Sequence, residues 1–293
     1  MWSVPAGLIW GRPFRGRMDT QAIMALALRL AGQSEVPADS GIDVPAGDVK
    51  RALFGIDADV GDLLLAKQLG YDLLINHHPT GGGSQVNFPN VLRRHGVLLE
   101  HAGVPRKAAE AAVEALLDEH ESAAHARNYD KLPSEARLLG MPLMAIHNPC
   151  DEIGRRMMDE TLKADLPKDP RVRDAIAVLN QLPEFKKALT KIVVRMGSEQ
   201  NPLGKWVVIH GAGTNGGYPV AKAAFDAGID TVFYIHIDAG HLRRLREEYG
   251  REGPKNLVVA GHIAADSLGI NVLVRELRKR GVTVDCFSGI IDV

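Results

Sequence analysis

The sequence predicts an α/β protein, because short strand-like segments alternate with longer helix-like segments along most of the chain. Short apolar runs such as Leu73-Leu74-Ile75, which ends at Asn76 and two histidines, are typical of buried strands. Between these runs, apolar residues recur every three or four positions, the spacing of one face of a helix. The 293 residues are enough for two domains of ordinary size or one large domain.

The first half of the chain is predicted to contain a β-α-β unit that ends in two adjacent histidines. A helix is expected at 19–31, since Asp19 can cap its first turn and Gly32 follows its end, and 33–44 is expected to be a loop. The unit itself comprises a strand at 49–54, a helix at 60–69 and a strand that ends at Asn76. Further segments are expected as helices at 90–102, 106–127 and 151–165, with a short strand at 141–146.

The second half repeats the alternation, with strands expected at 192–196, 206–210, 231–237, 257–260 and 282–287 and helices at 220–227, 241–250 and 264–280. The stretches LAKQLGYDLLINHH and AAFDAGIDTVFYIH share the order helix, glycine, aspartate, strand and histidine. This echo suggests two related halves, although βα proteins offer many such coincidences. We predict an N-terminal lobe over 1–165, with a helical insertion at about 105–139, and a C-terminal lobe over 166–293.

Composition and charge exclude several classes of protein. The formal net charge of −1 offers no bulk attraction to nucleic acid or to an anionic membrane. No apolar run is long enough for a transmembrane helix, and residues 1–17 lack the apolar segment of a signal peptide. Cys150 and Cys286 make no disulfide framework in a chain of this size, so we expect a cytoplasmic protein. Any metal would then be bound by histidine and carboxylate ligands.

Three predicted strand tips carry either two histidines or a histidine with a carboxylate four residues later. In chain order they are His77-His78, the pair His147 and Asp151, and the pair His262 and Asp266. One such pair is common surface chemistry, but parallel strands bring their carboxyl ends to one edge of a sheet. Six groups there are too many for one tetrahedral ion and suit two divalent ions, of Zn, Fe or Mn, that share a bridging carboxylate.

A site of this kind predicts a metal-dependent hydrolase or phosphoesterase that acts on a small molecule. His147 can be a ligand, an outer partner of a ligand or a general base, and we assign it with His236 to the candidate catalytic residues. His210 also ends a predicted strand, but there a structural role is the commoner one. The non-enzymatic alternative is an oligomeric binding protein that the metal ions stabilise.

A second motif points to another class of protein. Residues 211–216 read GAGTNG, a literal G-x-G-x-x-G between a predicted strand and a predicted helix, and Asp238 ends the next strand. One alternative is therefore an NAD(P)-binding oxidoreductase, although Gly217-Tyr218-Pro219 is expected to interrupt the start of the helix that would hold the pyrophosphate. The loop can equally be a tight turn, or a cover over the metal site that holds a substrate phosphate.

These motifs resemble those of the family of NGG-interacting factor three, some members of which are named GTP cyclohydrolase 1 type 2. Residues 72–79 are similar to the family's Asp-Leu-Ile-x-x-His-His-Pro pattern, and 147–151 keep both ends of its His-Thr-Asn-Leu-Asp motif. Residues 261–266 are similar to its Gly-His-x-x-x-Glu motif. The motifs occur in the family's order, and the glycine-rich loop precedes the third of them.

The resemblance implies a two-lobed α/β fold, with mixed sheets flanked by helices in each lobe and a dinuclear metal centre between the lobes. The ligands that it implies by position are His77, His78, Asp151, His262 and Asp266. It also implies a homo-oligomer, often a hexameric ring, with an unidentified substrate. Aspartate at 266 in place of the family's glutamate, a long segment between the first two motifs and a poorly matching 1–45 indicate a divergent member.

Overall fold

The computed structural model describes residues 18–293, and the predicted absence of a signal peptide concerns residues outside that range. Within the range the strands are β1 (Gly41–Val44), β2 (Arg51–Gly55), β3 (Leu73–Asn76), β4 (Leu143–Ala145), β5 (Val193–Met196), β6 (Trp206–Val208), β7 (Thr231–Tyr234), β8 (Asn256–Val259) and β9 (Thr283–Phe287). The helices are α1 (Thr20–Ala31), α2 (Val60–Gln68), α3 (Gly82–Val86), α4 (Phe88–Val91), α5 (Arg94–His101), α6 (Arg106–His125), α7 (Lys131–Leu139), α8 (Asn148–Asp165), α9 (Val172–Leu179), α10 (Pro183–Lys187), α11 (Gly217–Asp226), α12 (Ala239–Tyr249) and α13 (His262–Lys279).

The strands form two mixed sheets, as the predicted fold class requires. The first sheet has the order β1-β4-β3-β2-β9, and all of its pairs are parallel except that of β1 with β4. Asn76 ends β3 opposite both Gly55 and Ala145, so β2, β3 and β4 end at one level. The last strand of the chain, β9, pairs with β2 in this first sheet. The division near residue 165 and the helical insertion stay predictions.

The second sheet repeats the plan of the first. Its order is β5-β8-β7-β6, and β5 is an antiparallel edge strand like β1. Both edge pairings contain a register irregularity, between Ile42 and Val44 in one sheet and between Val194 and Met196 in the other. In both sheets the strand that comes first in the chain is therefore the antiparallel edge, and the fourth, third and second strands follow it across the sheet in that order.

The sequence pattern that the two halves share corresponds to equivalent backbone geometry in the two sheets. Gly70 and Gly228 follow α2 and α11 with φ of +73° and +88°, a region that favours glycine. Two residues after each glycine, an aspartate accepts a backbone hydrogen bond near the start of the neighbouring strand. Asp72 accepts from Arg51 at 2.9 Å, and Asp230 accepts from Lys205 at 2.9 Å.

Helix α13 lies between the two sheets and packs against both. Its C-terminal half shares a hydrophobic cluster with Phe54 and Ile75 of the first sheet, and its N-terminal half shares one with Phe233 and Val258 of the second. Opposite faces of the first sheet pack against α1 and α2, because successive side chains of a strand alternate between faces. Among residues 18–293 no helix is long and apolar enough to span a bilayer.

Close packing of α8 on α13 brings the two halves of the site together. A Cβ on Gly269 of α13 would clash with the carbonyl of Cys150 on α8. A Cβ on Gly154 would lie 2.9 Å from the carbonyl oxygen of Ala265. The two glycines therefore allow the helix backbones to approach closely near their N-terminal turns, where Asp151 lies.

Three segments differ from the sequence prediction. Residues 41–44, predicted as loop, form the edge strand β1, which depends on pairing with β4 about a hundred residues away. The predicted helix at 90–102 is two helices, α4 and α5. Helix α11 begins at Gly217 rather than 220, because Pro219 lies in the first turn, where backbone N–H groups lack intrahelical partners in any case. The predicted interruption of this helix is wrong.

Candidate metal centre

The adjacent histidines His77 and His78 leave strand geometry at the tip of β3, so that both rings face one site. Asn76 holds this bend, since its side-chain amide donates to the carbonyl of His78 and to the hydroxyl of Thr80. The two ring centroids are 5.0 Å apart. The ring of His147, at the tip of β4, lies 4.8 Å from that of His77. The first sheet thus supplies three clustered imidazoles.

Each of these three imidazoles has a partner on Nδ1. The partners are the Ile146 carbonyl for His77 at 3.1 Å, the Asp57 carboxylate for His78 at 2.8 Å and the Asp39 carboxylate for His147 at 2.8 Å. A hydrogen bond donated from Nδ1 fixes the tautomer and leaves the Nε2 lone pair available to a metal ion. No local sequence signal identifies these three partners, because Asp39 and Asp57 lie in loops and the third is a backbone group.

Two buried carboxylates lie between the histidines. Asp151, in the first turn of α8, is 3% exposed, and Asp266 of α13 is 1% exposed. Asp151 Oδ1 is 3.1 Å from His77 Nε2, and Asp266 Oδ2 is 3.2 Å from His262 Nε2 and 3.6 Å from His78 Nε2. The structure therefore brings together all five residues that the sequence proposed as ligands, and His147 with them.

Several inward-facing atoms of this cluster have no hydrogen-bond partner, although they are buried. They are His77 Nε2, Asp151 Oδ1, His210 Nε2 and Asp266 Oδ2. An unsatisfied buried polar group costs about 1–3 kcal/mol, and a single bound cation could satisfy several of these four atoms at once. Tetrahedral ligands with bonds of roughly 2.1 Å lie about 3.4 Å apart. The separations of 3.1–3.7 Å between His77, Asp151 and Asp266 fit that spacing.

Within residues 18–293, three groups of donors are compact enough to hold an ion. They are His77 with His78 and His147, His78 with His262 and Asp266, and His77 with Asp151 and Asp266. The groups overlap, and their donor atoms are imidazole nitrogens and carboxylate oxygens, which suit first-row divalent metals. The described residues could therefore bind a metal ion between the two sheets.

The protonation states of the cluster reflect its mixed charges. Burial opposes ionisation of Asp151, but His147 and His210 beside it hold the pKa of its carboxyl well below the ordinary value. Burial also opposes protonation of His147, yet Asp151 and Asp39 raise the pKa of its imidazole to about 9. Burial, and then the neighbouring His262, lower the pKa of His236 to about 4. The carboxylates are therefore charged at neutral pH, and His236 is neutral.

His236 lies at the side of the cavity in a defined orientation. Asn215 Oδ1 accepts a hydrogen bond from Gly217 N at 2.7 Å, so the amide nitrogen of Asn215 is the atom 2.8 Å from His236 Nδ1. Nδ1 must accept that bond, which places the proton of the neutral ring on Nε2. The ring centroid lies 4.6 Å from that of His262. His236 is thus arranged to donate a hydrogen bond.

A cavity of about 270 Å³ opens above the cluster. It is lined by His78, His147, Asp151, His210, His236, His262 and Asp266, and also by Gln85, Phe88, Arg127 and Thr214. The ring of Phe88 stacks at 6.0 Å on that of His147. Among the described residues no acidic side chain forms an ion pair with Arg127, which leaves a positive charge at the rim.

The amides at the start of α11 are occupied by side chains of the glycine-rich loop. Gly216 N donates to the Thr214 hydroxyl at 3.1 Å, and Gly217 N donates to Asn215. Asp238, the candidate ribose-binding acid, instead caps α12 by accepting from the backbone N–H groups of Gly240 and His241. A pyrophosphate would find these groups already bonded, which removes the main support for a dinucleotide site.

The rest of the loop packs against the helices after β3. The Gly211 carbonyl accepts hydrogen bonds from Arg94 at 2.8 Å and from Asn148 at 2.7 Å. Val91 fills the space that a Cβ on Gly213 would take. Gly213 therefore permits close packing of the loop on α4 and Gly211 on Glu152 of α8, and Gly213 and Thr214 still form part of the cavity wall.

Comparison with solved structures shows a similar protein over nearly the whole chain. A NIF3 superfamily protein from Sphaerobacter thermophilus is 47% identical, with a TM-score of 0.88 over 93% of this chain and 99% of that one. NIF3 abbreviates NGG-interacting factor three. HcgD from Methanocaldococcus jannaschii, in a reduced form, is 13% identical with a TM-score of 0.54, over 92% of this chain and 99% of that one. The latter likeness concerns the fold alone.

A third similar structure is that of a Bacillus cereus protein related to NIF3, which is 10% identical with a TM-score of 0.51 over 93% of this chain and 97% of that one. No protein-family model matches the sequence, and no curated protein does. The predicted family and fold class are confirmed by the first of these structures.

Proposed function

The chain belongs to the NIF3 superfamily, and on that premise we propose that it is a hydrolase with two divalent metal ions held between its sheets. The observation that carries the proposal is the set of buried donor atoms without partners, His77 Nε2, Asp151 Oδ1 and Asp266 Oδ2, which face one another across the interface of α8 and α13. Structural histidines and aspartates normally satisfy their hydrogen bonds, whereas ligands of an ion direct their lone pairs at it.

The donors divide into two positions that share Asp266. One position would use His77, Asp151 and Asp266, and the other would use His78, His262 and Asp266. Asp266 would contribute to both positions, since its Oδ2 lies 3.2–3.7 Å from Nε2 of His77, His78 and His262. Of the three roles open to His147, we propose that of a ligand, because its Nε2 points at Asp151 from 3.5 Å and Asp39 holds its Nδ1.

Two divalent ions in such a site supply an acidified water and stabilise negative charge on an oxyanion. The protein residues around them would bind and orient the substrate. His236 would donate a hydrogen bond from Nε2 to the reacting group, since Asn215 occupies its Nδ1. Walls of the cavity from both sheets would limit the access of bulk water to the reacting atoms.

The cavity favours a nucleotide-like or phosphorylated small molecule as the substrate. Phe88 offers an aromatic face on which a planar ring can stack, and Arg127 offers a charge without an acidic partner in the described structure. A volume of about 270 Å³ admits a small molecule and excludes a folded macromolecule. We also propose a homo-oligomer, which the exposed Leu64, Leu65 and Leu69 beside one another at α2 support and light scattering would test.

The test is metal content and turnover of protein purified without added metal. Plasma mass spectrometry is expected to find close to two transition-metal ions per chain, and far fewer in the double variant His77→Ala/His78→Ala. His101→Ala is the matched control, because this histidine is exposed on α5. Metal-loaded protein is then assayed against nucleotides and phosphoesters, and the Arg127→Ala variant is expected to have a raised KM.

Two outcomes would count against the proposal in different ways. Wild-type protein without metal, even after incubation with Zn²⁺ or Mn²⁺, would refute the metal centre. Two bound ions without turnover of any compound in the panel would refute the hydrolase and favour a metal-stabilised binding protein.

A further inference from the structure

We propose that His210, at the tip of β6, is a further ligand of the metal centre, and this inference rests on the proposed metal site. The ligands that the family resemblance implies come from three strand tips, those of β3, β4 and β8. His210 would add a fourth tip and a second imidazole from the second sheet. It would join His77 at Asp151 Oδ1 and would face Asp266 Oδ1, the oxygen of Asp266 that His77, His78 and His262 do not approach.

The position of the ring is that of a ligand. The side chain of His210 is 2% exposed, and its Nε2 lies 3.7 Å from Asp151 Oδ1 and 4.0 Å from Asp266 Oδ1. Nε2 has no hydrogen-bond partner. The histidines His78 and His262 approach the other oxygen of Asp266, Oδ2, so His210 occupies a direction that they leave free.

The repeated plan of the two sheets shows that this position does not require a histidine. In the first sheet Gly55 lies opposite the last residue of β3, and Ile56 follows it. In the second sheet Val208 lies opposite Phe233, so Ile209 lies opposite the last residue of β7 and His210 follows it. The equivalent position therefore holds a buried isoleucine in one sheet and a buried imidazole in the other, and the apolar residue is the ordinary solution for a strand end in a core.

The surroundings of His210 leave space for its ring but provide no hydrogen-bond partner for Nε2. Gly154 of α8 faces the ring, and a Cβ there would lie 3.5 Å from His210 Nε2. Gly154 and Asp151 share one face of α8, so the same helix surface provides a carboxylate and a gap for the imidazole. A histidine of purely structural use would direct Nε2 at a carbonyl or hydroxyl, as His95 does toward Thr214 at 3.1 Å.

This arrangement also accounts for aspartate at position 266. An aspartate reaches one methylene less far than the glutamate of the family motif, so its carboxylate spans less of the space between two ions. An imidazole at the Oδ1 side of Asp266 would supply the donor that the shorter carboxylate lacks there.

The test measures metal binding directly, with Zn²⁺ and Co²⁺ as probes. In His210→Ala, competition with a chromophoric chelator is expected to show affinity for one ion reduced by about 100-fold or more, beyond the roughly 10–100-fold that follows loss of an outer partner. The visible spectrum of the Co²⁺-loaded protein is expected to change in position and intensity. The rise in Tm on adding Zn²⁺ is expected to be smaller in the variant than in the wild type, each compared with its own metal-free form, so that the cavity left by alanine does not affect the comparison.

His210→Gln keeps a polar side chain of similar length and covers the case in which the alanine variant does not fold; it is expected to show the same loss of affinity. His101→Ala should bind both probes as the wild type does. Unchanged Zn²⁺ affinity and an unchanged Co²⁺ spectrum in a folded His210 variant would overturn the inference and leave the proposed function intact. A wild-type protein that binds neither probe would refute the proposed function, and this inference with it.

Discussion

The two sheets share one plan but hold their histidines differently. In the first sheet the strand-tip imidazoles of His77, His78 and His147 each have Nδ1 bonded to a carboxylate or a carbonyl. In the second sheet His262 leaves 41% of its side chain exposed, and His236 is held by a neutral amide. The same backbone geometry thus supports preorganised candidate ligands on one side and, at His236 and His262, more accessible imidazoles on the other.

This difference indicates that the two sheets contribute differently to metal binding and to turnover. Ligands with anchored tautomers lose little entropy when an ion binds, so each histidine of the first sheet should contribute more to metal affinity than the half-exposed His262 does. Accessible histidines at the cavity wall can meet a substrate, so the second sheet should dominate turnover. Asp266 and the contact of α8 with α13 join the two sets, and they are the points at which a change should affect both.

Removal of the shared carboxylate is expected to have the largest effect. Asp266→Ala takes a ligand from both proposed positions, so the affinity for each ion should fall by more than about 100-fold and turnover should be lost with it. Chelator competition with Zn²⁺ measures the affinities. Asp165→Ala, an exposed position at the end of α8, is the control. Retention of one tight site in Asp266→Ala would show that the two positions do not share this residue.

A methyl group added between α8 and α13 should push the two helices apart and so separate the two halves of the site. In Gly269→Ala the new Cβ would meet the Cys150 carbonyl, a backbone group that cannot move aside. We expect a loss of about 3 kcal/mol in the free energy of unfolding of the metal-free protein, from urea titration, together with weaker binding of both ions. Gly47→Ala is the control, since nothing lies within 4 Å of its added Cβ. Equal stabilities of the two variants would contradict the close contact.

Loss of a carboxylate that binds Nδ1 of a first-sheet histidine should weaken metal binding less than loss of a ligand itself. Asp39→Asn removes the charge behind His147, and Asp57→Asn removes the charge behind His78. Metal affinity should fall by roughly 10–100-fold for Asp39→Asn and by less for Asp57→Asn, because Asp39 is fully buried while the Asp57 side chain is 71% exposed and screened by water. An effect of the Asp57 change that equals or exceeds the other would show that burial does not set the strength of these anchors.

The smallest effect on metal affinity is expected from replacement of Asn215, which holds His236 in the second sheet. Asn215→Leu cannot hold His236 Nδ1, so turnover should fall by about 10-fold while Zn²⁺ affinity stays within a factor of about two. The loss of the bond from Gly217 N to Asn215 should also reduce stability by about 1 kcal/mol. Thermal unfolding and steady-state kinetics measure the two effects separately. Weakened metal binding in this variant would contradict the expectation that this part of the second sheet affects turnover and leaves metal affinity unchanged.

Local patterns in the sequence were enough to predict the α/β alternation and the strand tips that carry the site. The apolar run before His77 and the spacing of His262 and Asp266 are properties of neighbouring residues, because strand burial and helix periodicity are set within a few positions. The motif order was enough to identify the family, which the Sphaerobacter structure confirms. The assignment of these residues as ligands stays a prediction.

What the local patterns could not supply is the partner of each imidazole. The contact of His147 with Asp39 spans 108 residues, and β1 exists as a strand only because it pairs with β4. His210 resembles any histidine at the end of a strand, and its unpaired Nε2 becomes visible only when α8 and α13 bring Asp151 and Asp266 beside it. An imidazole serves as a ligand, an acid or a structural group according to the atoms opposite its two nitrogens, and long-range packing places those atoms.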